Sequence, residues 1–164
     1  MTARTPSGPL APLQPRFRIF LAEDDVEFRG LLASVLRHDG YEVVEASEGA
    51  TLLFNLGRDG VGQQYQGRDT LVICDVRMPM CDGLAILRNL REHEARCPKF
   101  VFMTAFPDRD ILDEAERLGA ITVLEKPFEL AELRAVIGNF ATEVAHRHEN
   151  DDATPARVAG ASRG

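Results

Sequence analysis

The chain has 164 residues, 27% of them charged and 45% hydrophobic, which is the composition expected of a soluble globular protein long enough for one domain with a real core. Its net charge of −7 argues against nonspecific nucleic-acid binding, which needs a basic surface, but leaves open an acidic surface that meets a basic partner. No apolar stretch approaches the length of a membrane span, and Arg4 is not followed by the apolar segment of a secretory signal.

Residues 1–16 carry Pro6, Pro9, Pro12 and Pro15, one every third residue, so an extended polyproline segment would align them along one edge. This stretch is expected to be a flexible arm, with a docking ligand for an aromatic groove as the sharper alternative. From Phe17 the texture changes, and a domain is expected over residues 17–146. Phe17–Ala22 is short and apolar, as in a strand. Phe28, Leu31, Leu32, Val35 and Leu36 then recur on one helical face, with Gly40 as the expected C-terminal cap. Tyr41–Ala46 is a second strand and Ala50–Leu56 a second helix. The polar, glycine-rich stretch Gly57–Gly67 is a loop.

Thr70–Cys74 is a continuous apolar run, as in a strand buried on both faces. Gly83–Glu94 is a helix, Phe100–Met103 a strand, Asp108–Leu118 a helix stopped by Gly119, and Ile121–Leu124 the fifth strand. Glu129–Val144 is the last helix, with Leu130, Leu133, Val136, Ile137 and Phe140 on one face. Residues 147–164 are polar and small, and a disordered tail is expected there. Cys74, Cys81 and Cys97 are odd in number and lack CxxC spacing, so they read as reduced thiols of a cytoplasmic protein, not a zinc site or a disulfide framework.

Five short strands alternating with five helices imply right-handed crossovers and an α/β fold: a five-stranded parallel sheet with helices on both faces. In such sheets the active crevice lies at the carboxyl ends of the strands. The acidic cluster Glu23-Asp24-Asp25, then Asp75, Thr104 and Lys126, all fall at those ends, with Asp75 expected to be open enough to react. Taken singly, each has an ordinary explanation. An acidic cluster after a strand is more often a helix N-cap, and Asp25 before Val26 is expected to be one. A single Thr in a loop is usually structural, and a single Lys is usually solvated. Together at one sheet edge they make a site. The carboxylates of Glu23, Asp24 and Asp75 would repel one another without a cation between them. Oxygen-only ligands select a hard ion such as Mg²⁺. Lys126 adds a point charge suited to a phosphoryl oxygen, and Thr104 adds a hydroxyl. A carboxylate nucleophile, Mg²⁺, a lysine and a hydroxyl suit phosphoryl transfer.

From about Phe17 to about Phe140 the chain resembles the receiver domain of bacterial two-component response regulators, a (βα)5 flavodoxin-like fold. The motifs are Glu23-Asp24-Asp25 followed by Arg29; Asp75-x-x-Met78-Pro79-x-x-Asp82-Gly83; Met103-Thr104-Ala105; and Lys126-Pro127-Phe128. The resemblance implies that Asp75 is the phosphoacceptor. It implies that Glu23, Asp24, Asp75 and the backbone carbonyl of Arg77 hold Mg²⁺, with Asp25 one place too far along. Thr104 and Lys126 would grip phosphoryl oxygens, and Lys126-Pro127 matches the family's cis pair. It places an aromatic three residues before the lysine, where this chain has Val123, so the aromatic part of the family's switch is altered. Arg77 and Phe106 fall at positions that control water access to the phosphoryl group. The loop Gly57–Gly67 is long for the family. Gly30, inside the first helix, costs about 1 kcal/mol relative to Ala; it either lets a partner helix approach closely or is simply tolerated.

The implied partners are a sensor histidine kinase or histidine phosphotransfer protein and a downstream protein target, with neither nucleic acid nor membrane contacted directly. No output domain is expected after Phe140, which suggests a stand-alone receiver that is not a turnover enzyme. A phosphorylation-independent binding module is the alternative, disfavoured by the intact Asp75, Thr104 and Lys126. A Mg²⁺-dependent phosphatase would want a second acid where Arg77 stands.

Overall fold

The computed structural model describes residues 17–58, 69–93 and 97–152. The proline-rich stretch, residues 59–68 (most of the expected loop Gly57–Gly67), residues 94–96 and the chain after Asp152 lie outside the described residues. The elements run β1 (Phe17–Ala22), α1 (Val26–His38), β2 (Val43–Ala46), α2 (Gly49–Arg58), β3 (Asp69–Asp75), α3 (Gly83–His93), β4 (Lys99–Thr104), α4 (Arg109–Arg117), β5 (Thr122–Glu125) and α5 (Leu130–Asp152). A short antiparallel ribbon, Arg77–Met78 against Cys81–Asp82, lies between β3 and α3.

The sheet is parallel throughout, in the order β2-β1-β3-β4-β5. Successive strand residues point to opposite faces, and each face has its own core. Phe20, Ala22, Val72, Cys74, Phe100 and Phe102 pack against α2, α3 and α4. Ile19, Leu21, Leu71, Ile73, Val101 and Met103 pack against α1 and α5. Both faces are covered, so the strands need apolar residues at every position, and the continuous runs in the sequence follow from that. Ile73 has no exposed surface; burying one such side chain contributes about 2 kcal/mol.

Local signals fix the helix ends. Asp25 caps α1 by accepting from the Phe28 N–H at 2.8 Å. Asp108 caps α4 by accepting from the Ile111 N–H at 2.8 Å. At the other end of α1, Gly40 takes φ +92°, its N–H donates to Arg37 O and the Tyr41 N–H donates to Leu36 O. Gly119 ends α4 in the same way, with φ +72°. This double bond needs a left-handed residue, which glycine supplies without steric cost.

Several boundaries differ from the sequence pattern, and α2 takes in Gly57 and Arg58 at the start of the expected loop. β2 starts at Val43, not Tyr41, because the Tyr41 N–H is used in the cap of α1. β3 and β5 each run one residue further, to Asp75 and Glu125, where their neighbours in β4, Met103 and Thr104, extend the ladder. α5 continues past residue 146 to Asp152. That extension is held by polar contacts: Arg147 lies 2.9 Å and His148 3.1 Å from Asp69 at the start of β3. Apolar periodicity therefore gave no sign of it.

The strand order reverses between β1 and β3, and at such a switch point the outgoing loops diverge and leave a crevice. Gly83 brings α3 close to its edge. A Cβ on Gly83 would lie 2.7 Å from the Asp75 carbonyl oxygen and 2.9 Å from Cys74 Sγ. Gly83→Ala should cost about 1–3 kcal/mol by overpacking; an unchanged urea midpoint would contradict this account of the junction.

Candidate functional site

The crevice gathers residues from four strand ends. Glu23 follows β1, and its N–H donates to Ala46 O of β2 at 3.1 Å. Its side chain is buried, while Asp24 next to it is exposed. Asp75 ends β3, Thr104 ends β4, and Lys126 follows β5. The Lys126 N–H donates to Thr104 O at 2.8 Å, and the Lys126–Pro127 peptide is cis. The carboxylates of Glu23, Asp24 and Asp75 lie within 4.8 Å of one another. Asp25 is engaged in capping α1 and stands apart from that group.

Asp75 is more enclosed than its place at a strand end suggests, with only 8% of its surface exposed. Its two oxygens are both engaged. Oδ1 accepts from the Arg77 N–H at 2.8 Å, and Oδ2 forms an ion pair with Lys126 Nζ. The same ammonium group bonds Glu23 Oε2 at 2.6 Å. Lys126 thus bridges the two buried carboxylates. Its Nζ lies over the Phe28 ring, 5.1 Å from the centroid, and Phe128 packs edge-on against Phe28 at 5.9 Å. An ammonium over a ring face gains a further electrostatic contribution.

Burial pushes the Glu23 carboxyl above its usual range, and the bonds from Lys126 and the Asp25 N–H only partly oppose this. Burial pulls Lys126 down, but its bonds to Asp75 and Glu23 outweigh burial and leave it raised. Cys74, directly before Asp75, is driven well up by burial. It therefore stays a protonated, inert thiol.

Thr104 is buried, and its Oγ1 accepts from the Phe106 N–H at 3.2 Å. Phe106 itself is 67% exposed, and the Arg77 guanidinium lies 5.7 Å from its ring centroid. These two side chains form a cation–π pair between the loop after β3 and the loop after β4. Val123 is half-buried against the core on the α2–α3–α4 side, paired in register with Phe102. A Cβ at Gly30 would meet nothing within 4 Å, so no neighbouring segment among the described residues calls for a glycine there.

The structure brings Glu23, Asp24, Asp75, Arg77, Thr104 and Lys126 to one edge. Sequence reasoning missed the packing of Phe28 under Lys126 and the contact of Arg29 with the Glu23 backbone. Arg29 was visible as part of a motif, but spacing alone gave it no task.

A doubly wound sheet with this acidic crevice at its switch point defines an α/β domain of the receiver class. The family model for the response regulator receiver domain matches residues 19–138, and the chain belongs to that family. It is 35% identical over 117 residues to Transcriptional regulatory protein PdtaR of Mycobacterium tuberculosis, covering 71% of this chain but only 52% of that protein. The chain therefore spans about half the length of that relative. It is 28% identical over 123 residues to Sporulation initiation phosphotransferase F of Bacillus subtilis, covering 75% of this chain and 92% of that protein. Among solved structures, the N-terminal domain of an uncharacterized protein (WS1339) from Wolinella succinogenes superposes with a TM-score of 0.69 at 25% identity, covering 80% of this chain and 98% of that one.

Lys126 carries the charge balance of the crevice in the metal-free protein. Its raised pKa means that its contribution is fully present below its ordinary value of 10.5 and is lost as pH rises through the folded-state value. Glu23 has the opposite sign: an acid with a raised pKa destabilises the fold once it ionises, and acidification relieves that cost. Lys126→Met should therefore lower stability at neutral pH by about 3 kcal/mol, because two buried carboxylates lose their counter-charge. Urea unfolding in EDTA should show the deficit narrowing as the pH falls toward the range where Glu23 takes up a proton.

Proposed function

We propose that this protein is a phosphoacceptor switch in a two-component phosphorelay, with Asp75 as the residue phosphorylated. The observation that carries this proposal is the convergence of the Glu23, Asp24 and Asp75 carboxylates within 4.8 Å, with Lys126 paired to Asp75. Membership of the receiver family and similarity to a protein named as a phosphotransferase support it.

The donor set fits Mg²⁺: all its side-chain ligands are oxygens, and one of them, Asp24, is open to solvent, so the ion could keep waters for exchange with a phosphate. The carboxylates of Glu23, Asp24 and Asp75 and the Arg77 carbonyl would hold the ion. When bound, Mg²⁺ would supply positive charge to the oxygens of the transferring phosphoryl group. A carboxylate oxygen of Asp75 attacks the phosphorus of a phosphohistidine on a sensor histidine kinase or a histidine phosphotransfer protein. The P–O bond to Asp75 forms as the P–N bond breaks, and the imidazole leaves with the bonding electron pair. Lys126 shifts its contact from the Asp75 carboxylate to a phosphoryl oxygen. The Thr104 hydroxyl, released from the Phe106 N–H, donates to another. The chain performs this on itself and turns over no separate substrate. Output passes to a downstream protein by contact, not through nucleic acid. No helix among the described residues is long and apolar enough to cross a membrane.

Acetyl phosphate with Mg²⁺ should produce a base-labile, hydroxylamine-sensitive acyl phosphate on the wild type and none on Asp75→Asn. EDTA should abolish the product. A wild type that takes up no phosphate under these conditions would favour a phosphorylation-independent binding module.

The Arg77–Phe106 pair bears on how long the phosphoryl group survives. A ring and a guanidinium spanning the two loops restrict the path of an attacking water. Phe106→Ala should shorten the lifetime of phosphorylated Asp75 several-fold, followed by loss of the acyl phosphate after removal of the donor. An unchanged lifetime would show that Phe106 only covers the sheet edge.

A further inference from the structure

Arg29 lies in the first turns of α1, outside the carboxylate cluster, yet it reaches the backbone of the cluster. Its Nη1 donates to the Glu23 carbonyl at 2.7 Å. Its Nε lies 3.4 Å from Glu45 Oε2 on β2. The other oxygen of Glu45 takes Arg37 Nη1 at 2.9 Å, and Arg37 Nη2 donates to the Val43 carbonyl at 3.0 Å. The Arg29 side chain is only 15% exposed. The guanidinium is thus held from β2 and presented to one specific carbonyl.

That carbonyl belongs to the peptide unit joining Glu23 to Asp24. Its orientation sets the directions in which the two side chains leave the backbone, because the peptide group is planar. The Glu23 N–H is already tied to Ala46 on β2. With its carbonyl tied to Arg29, the residue is fixed from both sides. The bond is charge-assisted and partly buried, so it is stronger than a neutral one. Asp24 itself is exposed, and among the described contacts this carbonyl bond is the one that restrains the peptide unit leading into it from outside the loop.

We propose that Arg29, braced by Glu45, is a positioning residue that sets the Glu23–Asp24 peptide unit and with it the geometry offered to a divalent cation. This rests on the reading of the crevice as a Mg²⁺ site. Arg29 touches neither the ion nor the phosphoryl group; it acts through the backbone of the ligands.

The sign of the effect separates positioning from simple charge. Arg29 is a cation near an anionic pocket, so electrostatics alone makes its removal strengthen Mg²⁺ binding. Positioning makes removal weaken it. Titration calorimetry of the full chain with Mg²⁺ should give an affinity roughly tenfold lower for Arg29→Gln, the scale typical of losing a group that orients a metal ligand. Arg29→Lys keeps the charge but not the planar fork, and should fall between the two. The carbonyl carbon resonance of Glu23 should move in the metal-free Arg29→Gln protein. An affinity equal to or tighter than wild type in Arg29→Gln overturns the proposal and leaves the Mg²⁺ site intact. A wild type that binds no Mg²⁺ overturns both. If Arg29→Gln fails to fold, Arg29→Lys decides, since wild-type affinity there would also overturn it.

Discussion

The structure turns on one ammonium group. Lys126 Nζ bridges Glu23 and Asp75, two carboxylates buried at adjacent strand ends. Carboxylates that close cannot both stay ionised without a cation between or beside them. In the metal-free protein the lysine is that cation. The arrangement joins β1, β3 and β5 at their carboxyl ends, so the charge balance of the crevice and the closure of the sheet edge depend on the same contact. In the proposed function the lysine is also the group that would follow the charge from the carboxylate to the phosphoryl oxygens.

The surroundings hold that ammonium in place without competing for it. Phe28 offers it a ring face and no acceptor, and Phe128 packs edge-on against that ring. The Lys126 N–H is anchored on Thr104, so the lysine and the hydroxyl move as neighbours. On the other side, Arg77 uses its backbone N–H on Asp75 and its guanidinium on Phe106, which couples the Asp75 carboxylate to an exposed ring in a different loop. Gly83 lets α3 approach so closely that the carbonyl of Asp75 sits within what would be the space of a Cβ. Such tight packing fixes the end of β3 from below, while the loops above remain at the surface.

Much of this was legible in the chain. The strands are buried on both faces, so their apolar runs stand out against helices with a one-sided pattern. Gly40 and Gly119 mark helix ends because the terminal bonding pattern requires positive φ. The four site segments follow their strands directly, so strand order alone brings them to one edge. Less legible were contacts that depend on side-chain reach. Nothing in the spacing of Phe28 says that a lysine just after β5 will lie on its ring. Nothing in the polar end of α5 says that Arg147 and His148 will find Asp69 and prolong the helix past its apolar stripe.

The sequence by itself determined the α/β class, the strand and helix order, and the residues at the strand ends, because hydrophobic period and turn chemistry are local properties. It also determined that three acids and a lysine would meet, since parallel crossovers put every loop after a strand on the same edge. Only the tertiary structure decided how they meet: that Asp75 is enclosed, that Lys126 spans two carboxylates at once, that Thr104 is held by its own loop, and that Arg29 grips the carbonyl between two of the acids. Those outcomes depend on distances of a few ångströms between segments far apart in the chain, and such distances are set by the packing of both cores, not by any local pattern.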